Sequence, residues 1–408
     1  MQNVKAFVWG AVAFACAVVG AKDFDIVANG AAPDAKPSVN AQAIQKTIDA
    51  CAAAGGGRVV VPAGTWNSGT IWIRSNVELH LAEGAVLKAS DNLDDYNAPD
   101  AYPQNWGCPS EGWNACHFII AHAVENAAIT GPGTVDGNGE AFFEEGVRKP
   151  SWASIAWANG IRGPKDKKRL RPGQLIVFIE SKNLRVEKLR IRNSTCWSLF
   201  FHGCDNVVVR DYTVRNGRCD LNTDGIDIDC SSNVTLERAD IDTGDDGIAI
   251  RASEYRLKRS KTCEHIRISD CTLSASAMGI RIGVGSGRIR DVDISNVRVR
   301  HGAWGVSFDC WYGKKETNGV DIEDVRVRDS VFDGCYGNWR FRCGGDRQEF
   351  GVRRVRFENC RYSSPVPGLI EYAGRHAVQD FSEHNCTWTP DLANPFMDLV
   401  RKLTPVQQ

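Results

Sequence analysis

From Arg58 onward the chain alternates apolar and polar residues in short runs: RVVVP, TIWIR, VELHL, LIVFIES, LRVEKLRIRN, NVVVRDYTVRN, NVTLERADID, HIRISDCTL, RDVDISNVRVR, GVDIEDVRVRDSVF and RRVRFENC. Gly, Asn, Asp and Ser divide them. A period of two is the pattern of a strand, and no run holds a 3.6-residue period over ten residues. The runs also share a unit: an Asn, then V-x-V, a polar turn, V-x-N or V-x-D, and a variable loop. Units begin near Asn183, Asn206 and Asn233, at intervals of 23 and 27 residues. Self-similarity at that period marks a solenoid. The pattern therefore predicts an all-β right-handed parallel β-helix, with a sandwich or propeller as the alternative. Against the alternative, no tight two-residue turn such as Asn-Gly joins paired runs.

One segment departs from the period of two. Asn40 to Ala54 sets Ala43, Ile44, Ile48 and Ala52 on one stripe, which predicts a helix with Asn40 as its N-cap. Gly55-Gly56-Gly57 ends it. No GK[ST] follows the triplet and the next run is strand-like, so it reads as a C-cap and turn rather than a phosphate loop. An amphipathic helix in this place would cap the open end of the solenoid.

Two insertions break the repeat, Asn92 to His117 and Phe142 to Arg171. Trp106, Trp113, Trp152 and Trp157 within them can stack on sugar rings or anchor the loops to the solenoid. Loops of this length without periodicity of their own are commonly functional. The basic run from Lys165 to Arg169 reads as a solvated turn.

Composition narrows the picture. A formal net charge of -1 over 408 residues argues against a nucleic-acid partner. Lys5, the apolar run Ala6–Val19 and the small residues Val19-Gly20-Ala21 read as a secretory signal over residues 1–21, too short to span a bilayer. The expectation is a secreted or periplasmic protein, no membrane association after signal cleavage, and a single β-helix catalytic domain over 22–408 that is a monomer. Fifteen cysteines become fourteen once Cys16 is removed. An even number in an exported chain permits disulfides. Equally, Cys204, Cys230, Cys263, Cys271 and Cys360 recur at similar places in successive repeats, as small core residues do. No CxxC pair or His/Cys ligand spacing is present, so no zinc site and no cofactor is expected.

The candidate chemistry lies between Leu221 and Ile250. Two carboxylate clusters, Asn222-Thr223-Asp224 and Gly244-Asp245-Asp246, flank one alternating run, with Asp224 lying 21 residues before Asp245 and 22 before Asp246. If that interval is one coil, the clusters sit on neighbouring rungs, separated by about 4.7–4.9 Å. Crowded carboxylates push each other's pKa values apart, which is what an acid/base pair needs. Three aspartates could also hold Ca²⁺. Asp227, Asp229, Asp240 and Asp242 read as outward or coil-stacking residues.

These motifs resemble the polygalacturonase family, glycoside hydrolase family 28. The resemblance rests on the NTD at Asn222–Asp224, the GDD at Gly244–Asp246 and the stretch Ser194–Leu199. It extends to GGGRVVVPAGTW and the following coils, and to GPGTVDGNGEAFF, covering roughly Asp23 to Asn359. It implies a pectin-lyase-like β-helix and inverting hydrolysis of a pectic or similar glycoside. Asp245 matches the general acid, and Asp224 and Asp246 match the pair that activates water. An inverting pair usually stands about 6.5–9.5 Å apart.

The sequence also departs from that family. Where the resemblance expects Gly-His-Gly, Ser274–Gly279 carries no histidine; where it expects Arg-Ile-Lys, the chain has Ser307-Phe308-Asp309. His265 and His301 fall outside the motif. Candidate substrate-binding residues are then Asn222, Arg251, Arg281, Trp304, Asp309 and Trp311. Alternation puts Asp309 and Trp311 on one face, suited to a neutral sugar. The two arginines can pair with an anionic sugar or bridge coils as salt bridges. A lyase or epimerase on the same scaffold and a non-catalytic glycan-binding protein remain alternatives.

Overall fold

A computed structural model describes residues 22–148, 160–166, 170–311, 319–343, 350–371 and 378–394. The signal-like residues 1–21, Trp152, Trp157 and the end of the basic run, 167–169, lie outside them. Every strand pair is parallel, and successive strands in each sheet are one coil apart in sequence. This is the right-handed parallel β-helix that the alternation predicts. One twelve-stranded sheet runs from Asp23–Asp25 to Val378–His384. The remaining strands form the other two walls of the coil.

The repeat seen in the sequence has a physical basis at its corners. Asn76, Asn126, Asn183, Asn206 and Asn233 all adopt a left-handed backbone, with φ between 54° and 62°. Asn tolerates that conformation better than most residues. Their side-chain amides also bond along the stack, at 2.9, 3.0, 3.0 and 3.2 Å. Each coil thus turns at the same place and satisfies its neighbour.

Inside, apolar residues stack rung on rung. Phe178 lies over Phe201 at 5.0 Å and Phe308 over Phe341 at 4.6 Å. A fully buried residue of this kind contributes about 1.5–3 kcal/mol relative to exposure. Cys204, Cys230 and Cys263 line this core, and the fourteen cysteines among the described residues are free thiols.

The cap helix starts earlier than the stripe suggests, spanning Pro37–Ala53 with Lys36 at the N-cap. Proline at the first position is preorganised for a helix start. Asn40 is no cap. It is fully buried, accepting from Ala32 N and donating to the Ala32 and Asn67 carbonyls. Ala43, Ile44 and Ile48 face the coil as expected, and Ala52 is half-buried.

Candidate active site

The site occupies the outer face of one wall. In the strands Ile226–Asp229 and Ile248–Ala252, the isoleucines point inward and are fully buried. Asp227, Asp229, Ala249 and Arg251 alternate to the outside. Ile226 pairs with Ile248 across the rung. Asp224 and Asp246 each stand two residues before those partners, so they take equivalent positions on consecutive rungs, with Asp245 beside them. One side-chain oxygen from each of the three lies within 4.8 Å of the others. The glycine of the second cluster is imposed by backbone contact. A Cβ on Gly244 would stand 2.3 Å from the Asp220 carbonyl oxygen and 2.4 Å from that of Gly217.

Each aspartate has a different environment. Asp245 accepts one backbone hydrogen bond, from Asn222 N to Oδ2 at 3.2 Å. Burial, reinforced by the charge of Asp246 and opposed by Arg281, pushes its carboxyl up to about 8. Asp246 accepts from Arg281 Nε and from a second Arg281 nitrogen at 3.1 Å, and from Met278 N at 3.0 Å. Asp224 is buried with Oδ1 unpaired. Burial and the charges of Asp227, Asp245 and Asp246 hold its carboxyl well above the usual range. Such coupled groups titrate as a set. The cage therefore pairs a carboxyl that stays protonated near neutrality with a carboxylate fixed by a guanidinium.

Arg281 is itself held from behind. It donates to Asp309 Oδ2 at 2.9 Å, while Arg340 donates to Asp309 Oδ1 at 3.2 Å and to Ser307 Oγ at 3.1 Å. Arg281, Ser307 and Arg340 are successive register partners. Arg281, Ser307 and Asp309 are buried, Asp309 at 0% exposure, while Arg340 is partly buried.

Comparison with known proteins bears directly on this cage. Glycosyl hydrolases family 28 matches residues 107–258, which include all three aspartates. The endo-polygalacturonase of Pectobacterium carotovorum subsp. carotovorum is 27% identical over 325 residues, covering 72% of this chain and 78% of its own. Over residues 107–258 the chain is similar to glycosyl hydrolases family 28. It is a glycoside hydrolase. The exo-poly-alpha-D-galacturonosidase of Dickeya chrysanthemi is 29% identical over 244 residues, 53% of this chain and 40% of that one. Solved structures share the fold. The polygalacturonase from Erwinia carotovora ssp. carotovora superposes with a TM-score of 0.61 at 23% identity, covering 88% of this chain and 93% of its own. Endo-xylogalacturonan hydrolase from Aspergillus tubingensis does so with 0.66 at 15% identity, covering 90% and 93%.

The other residues singled out from the sequence fall in varied places. Asn222 holds the cage. Its side-chain oxygen accepts from Arg171 at 2.8 Å while its backbone N–H meets Asp245. Arg251 lies over the Trp197 ring at 4.5 Å, with ion pairs of 3.6 Å to Asp227 and 3.9 Å to Asp229. Trp304 is 4% exposed and covers Gly337, which puts its ring in the packing rather than in an open groove. Asp309 faces two arginines. Trp311 is half-buried and lies beyond the strand Arg298–Asp309, so the shared face expected for the two ends at Asp309. The inserted Trp106 and Trp113 pack on each other at 4.4 Å, and Arg256 covers Trp106 at 3.7 Å.

Three functional positions escaped the sequence reading. Arg171 is fully buried and donates to the carbonyls of Thr195, Glu111 and Leu221 at 2.6, 2.8 and 3.0 Å, besides Asn222. Asp227 lies fully buried beside the cage instead of in solvent. Arg340 reaches Asp309 from the following rung. The three cage oxygens could also hold a cation, though Arg281 already balances Asp246.

Proposed function

We propose that this hydrolase cleaves a pectic glycan, with Asp245 as general acid and Asp224 and Asp246 holding the attacking water. The observation that carries the reading is the cage itself: three carboxyl groups within 4.8 Å, one of them kept protonated near neutrality. Asp245 gives its proton to the glycosidic oxygen as the bond breaks. A water held between Asp224 and Asp246 passes a proton to the Asp246 carboxylate as it attacks the anomeric carbon. Inversion is the outcome this reading predicts, because Asp224 and Asp246 are placed to hold one water between them rather than to form a glycosyl bond. The oxygens stand closer than the ~6.5–9.5 Å common in inverting pairs, so the anomer formed first is the direct check.

Substrate preference follows from the far end of the network. Arg281 and Arg340 are both committed to Asp309, at 2.9 and 3.2 Å. Neither side of Ser307 therefore offers an uncommitted clamp for a uronate carboxylate. A neutral, substituted or mixed-backbone pectic glycan fits better than plain polygalacturonate. The relatives' names support the pectic class, and residues 1–21 support export from the cytoplasm, with a working monomer. Among the described residues no helix is long and apolar enough to cross a membrane.

Reducing-sugar release across a glycan panel, followed by NMR of the first-formed anomer, tests the reading. Turnover of a mixed or substituted pectic backbone above that of polygalacturonate, with inversion, is expected. Equal turnover of plain polygalacturonate would refute the preference, and retention would refute the water-holding pair. An unsaturated, ultraviolet-absorbing product would assign a lyase instead.

A further inference from the structure

Asp227 lies fully buried beside the half-buried Arg251, and the two meet only as a loose ion pair without a hydrogen bond. Asp227 shares the outer face of its strand with Asp229 and pairs in register with Phe200 before it and Ala249 after it. It is 0% exposed, yet neither of its carboxylate oxygens has a hydrogen-bond partner. Arg251 approaches it only to 3.6 Å, beyond hydrogen-bond length, and its own Nε is also unpaired. Asp224 Oδ1, in the cage, is unpaired too, and the charge bearing most strongly on Asp224 is that of Asp227. The face of the Arg251 guanidinium rests on Trp197, which fixes the plane in which its N–H groups point.

A half-satisfied buried network is less stable than an apolar one of the same shape. Ala249, on the next rung, shows that a small apolar residue fits this wall. Unpaired groups held in place at such a cost mark a position where a ligand completes the network. The reading below rests on the proposed glycan hydrolysis.

We infer that Asp227 and Arg251 are a sugar-binding pair, taking hydroxyl groups of the glycosyl unit lodged against Asp224: a hydroxyl donates to Asp227 and accepts from Arg251. Hydroxyls are favoured over a carboxylate by charge. Asp224, Asp227, Asp245 and Asp246 crowd this side, and the one guanidinium that serves it, Arg251, is already balanced by Asp227 and Asp229. A uronate carboxylate would find no uncommitted guanidinium on this side, whereas a hydroxyl can accept from Arg251 and share a proton with Asp227.

The test measures stability and binding separately. Asp227→Asn and the apolar Asp227→Leu are compared with the parent enzyme in thermal unfolding and in kcat/KM on the best glycan of the panel. Binding is read in the Asp245→Asn background, as the shift in Tm caused by short oligogalacturonides and by their carboxyl-reduced counterparts. Expected are an unchanged or raised Tm without ligand, kcat/KM lowered at least tenfold, loss of the ligand-induced shift in both variants, and a larger shift in the parent with the carboxyl-reduced sugars. Variants that keep kcat/KM and the shift, or that unfold early while still binding, would overturn the inference. A larger shift with the native oligogalacturonides would overturn the hydroxyl assignment. If the Asp245→Asn protein binds these sugars but the parent cleaves none, the hydrolytic reading fails and the binding pair stands.

Discussion

On the downstream side of the cage, every carboxylate oxygen of Asp246 and Asp309 meets a guanidinium or a backbone N–H. On the upstream side, Asp224 and Asp227 are buried and Arg251 is half-buried, and carboxylate oxygens and the Arg251 Nε make no hydrogen bond. The same sheet face, one to three rungs apart, thus carries a closed network and an open one. In the proposed mechanism the closed side fixes the base, and the open side is where the inferred sugar contacts fall. The family match ends at residue 258, so it includes the cage and the open side and stops before Arg281, Asp309 and Arg340. Where the resemblance expects Arg-Ile-Lys, the chain has Ser307-Phe308-Asp309, and Asp309 anchors the closed network.

Breaking the closed side should cost the most. Asp309→Asn leaves Arg281 and Arg340 facing each other without their shared counter-charge. Removing one partner of a buried ion pair destabilises by about 3–5 kcal/mol. Arg281 would also lose its anchor, and a displaced Asp246 should lower turnover by up to ~10²-fold. Denaturant melts and initial rates check both. The contrast with Asp227 is the point: downstream, stability and activity fall together, and upstream they part. An Asp309→Asn enzyme of unchanged stability would erase that contrast.

A smaller effect concerns pH. Asp245 is held at about 8 against an ordinary 3.8. Catalysis needs its proton, so the rate should fall as pH rises through about 8. For stability, the folded state binds that proton more tightly than the unfolded chain. Its contribution is full below the unfolded value and is lost as pH rises through the folded one. Asp245→Asn, permanently neutral, should therefore gain stability relative to the parent as pH rises from about 4 to about 8, when both are followed by Tm. A constant difference across that range would contradict the protonated acid.

The smallest effect expected is none. With Arg281 balancing Asp246, a chelator should leave the rate unchanged, and restoration of a lost rate by Ca²⁺ would put a cation in the cage.

The fold was legible because its signals are local. Alternation gives the strands, and the Asn183, Asn206 and Asn233 repeats are the corners that bond along the stack. The aspartates were legible because a 22-residue interval is one coil. The helix start was misread because Asn40 looks like a cap, whereas Pro37 sets the start and Asn40 serves the interior. Arg171, Arg340 and Asp227 were hidden for another reason. Arg171 reaches Asn222 across 51 residues of sequence and Arg340 reaches Asp309 across 31. Only the register of the stacked rungs brings them together. Asp227 follows the period that elsewhere puts a residue in solvent, yet it is 0% exposed beside Arg251.

The division of labour among the aspartates is tested most directly by leaving-group dependence. Asp245→Asn should lower hydrolysis of the natural glycan by at least ~10²-fold, within the range typical of general acid catalysis. An activated aryl glycoside, whose leaving group needs no proton, should restore much of that variant's rate. It should not rescue Asp224→Asn or Asp246→Asn, which lack the grip on water. Equal recovery in all three variants, or full activity of Asp245→Asn on the natural glycan, would contradict the account.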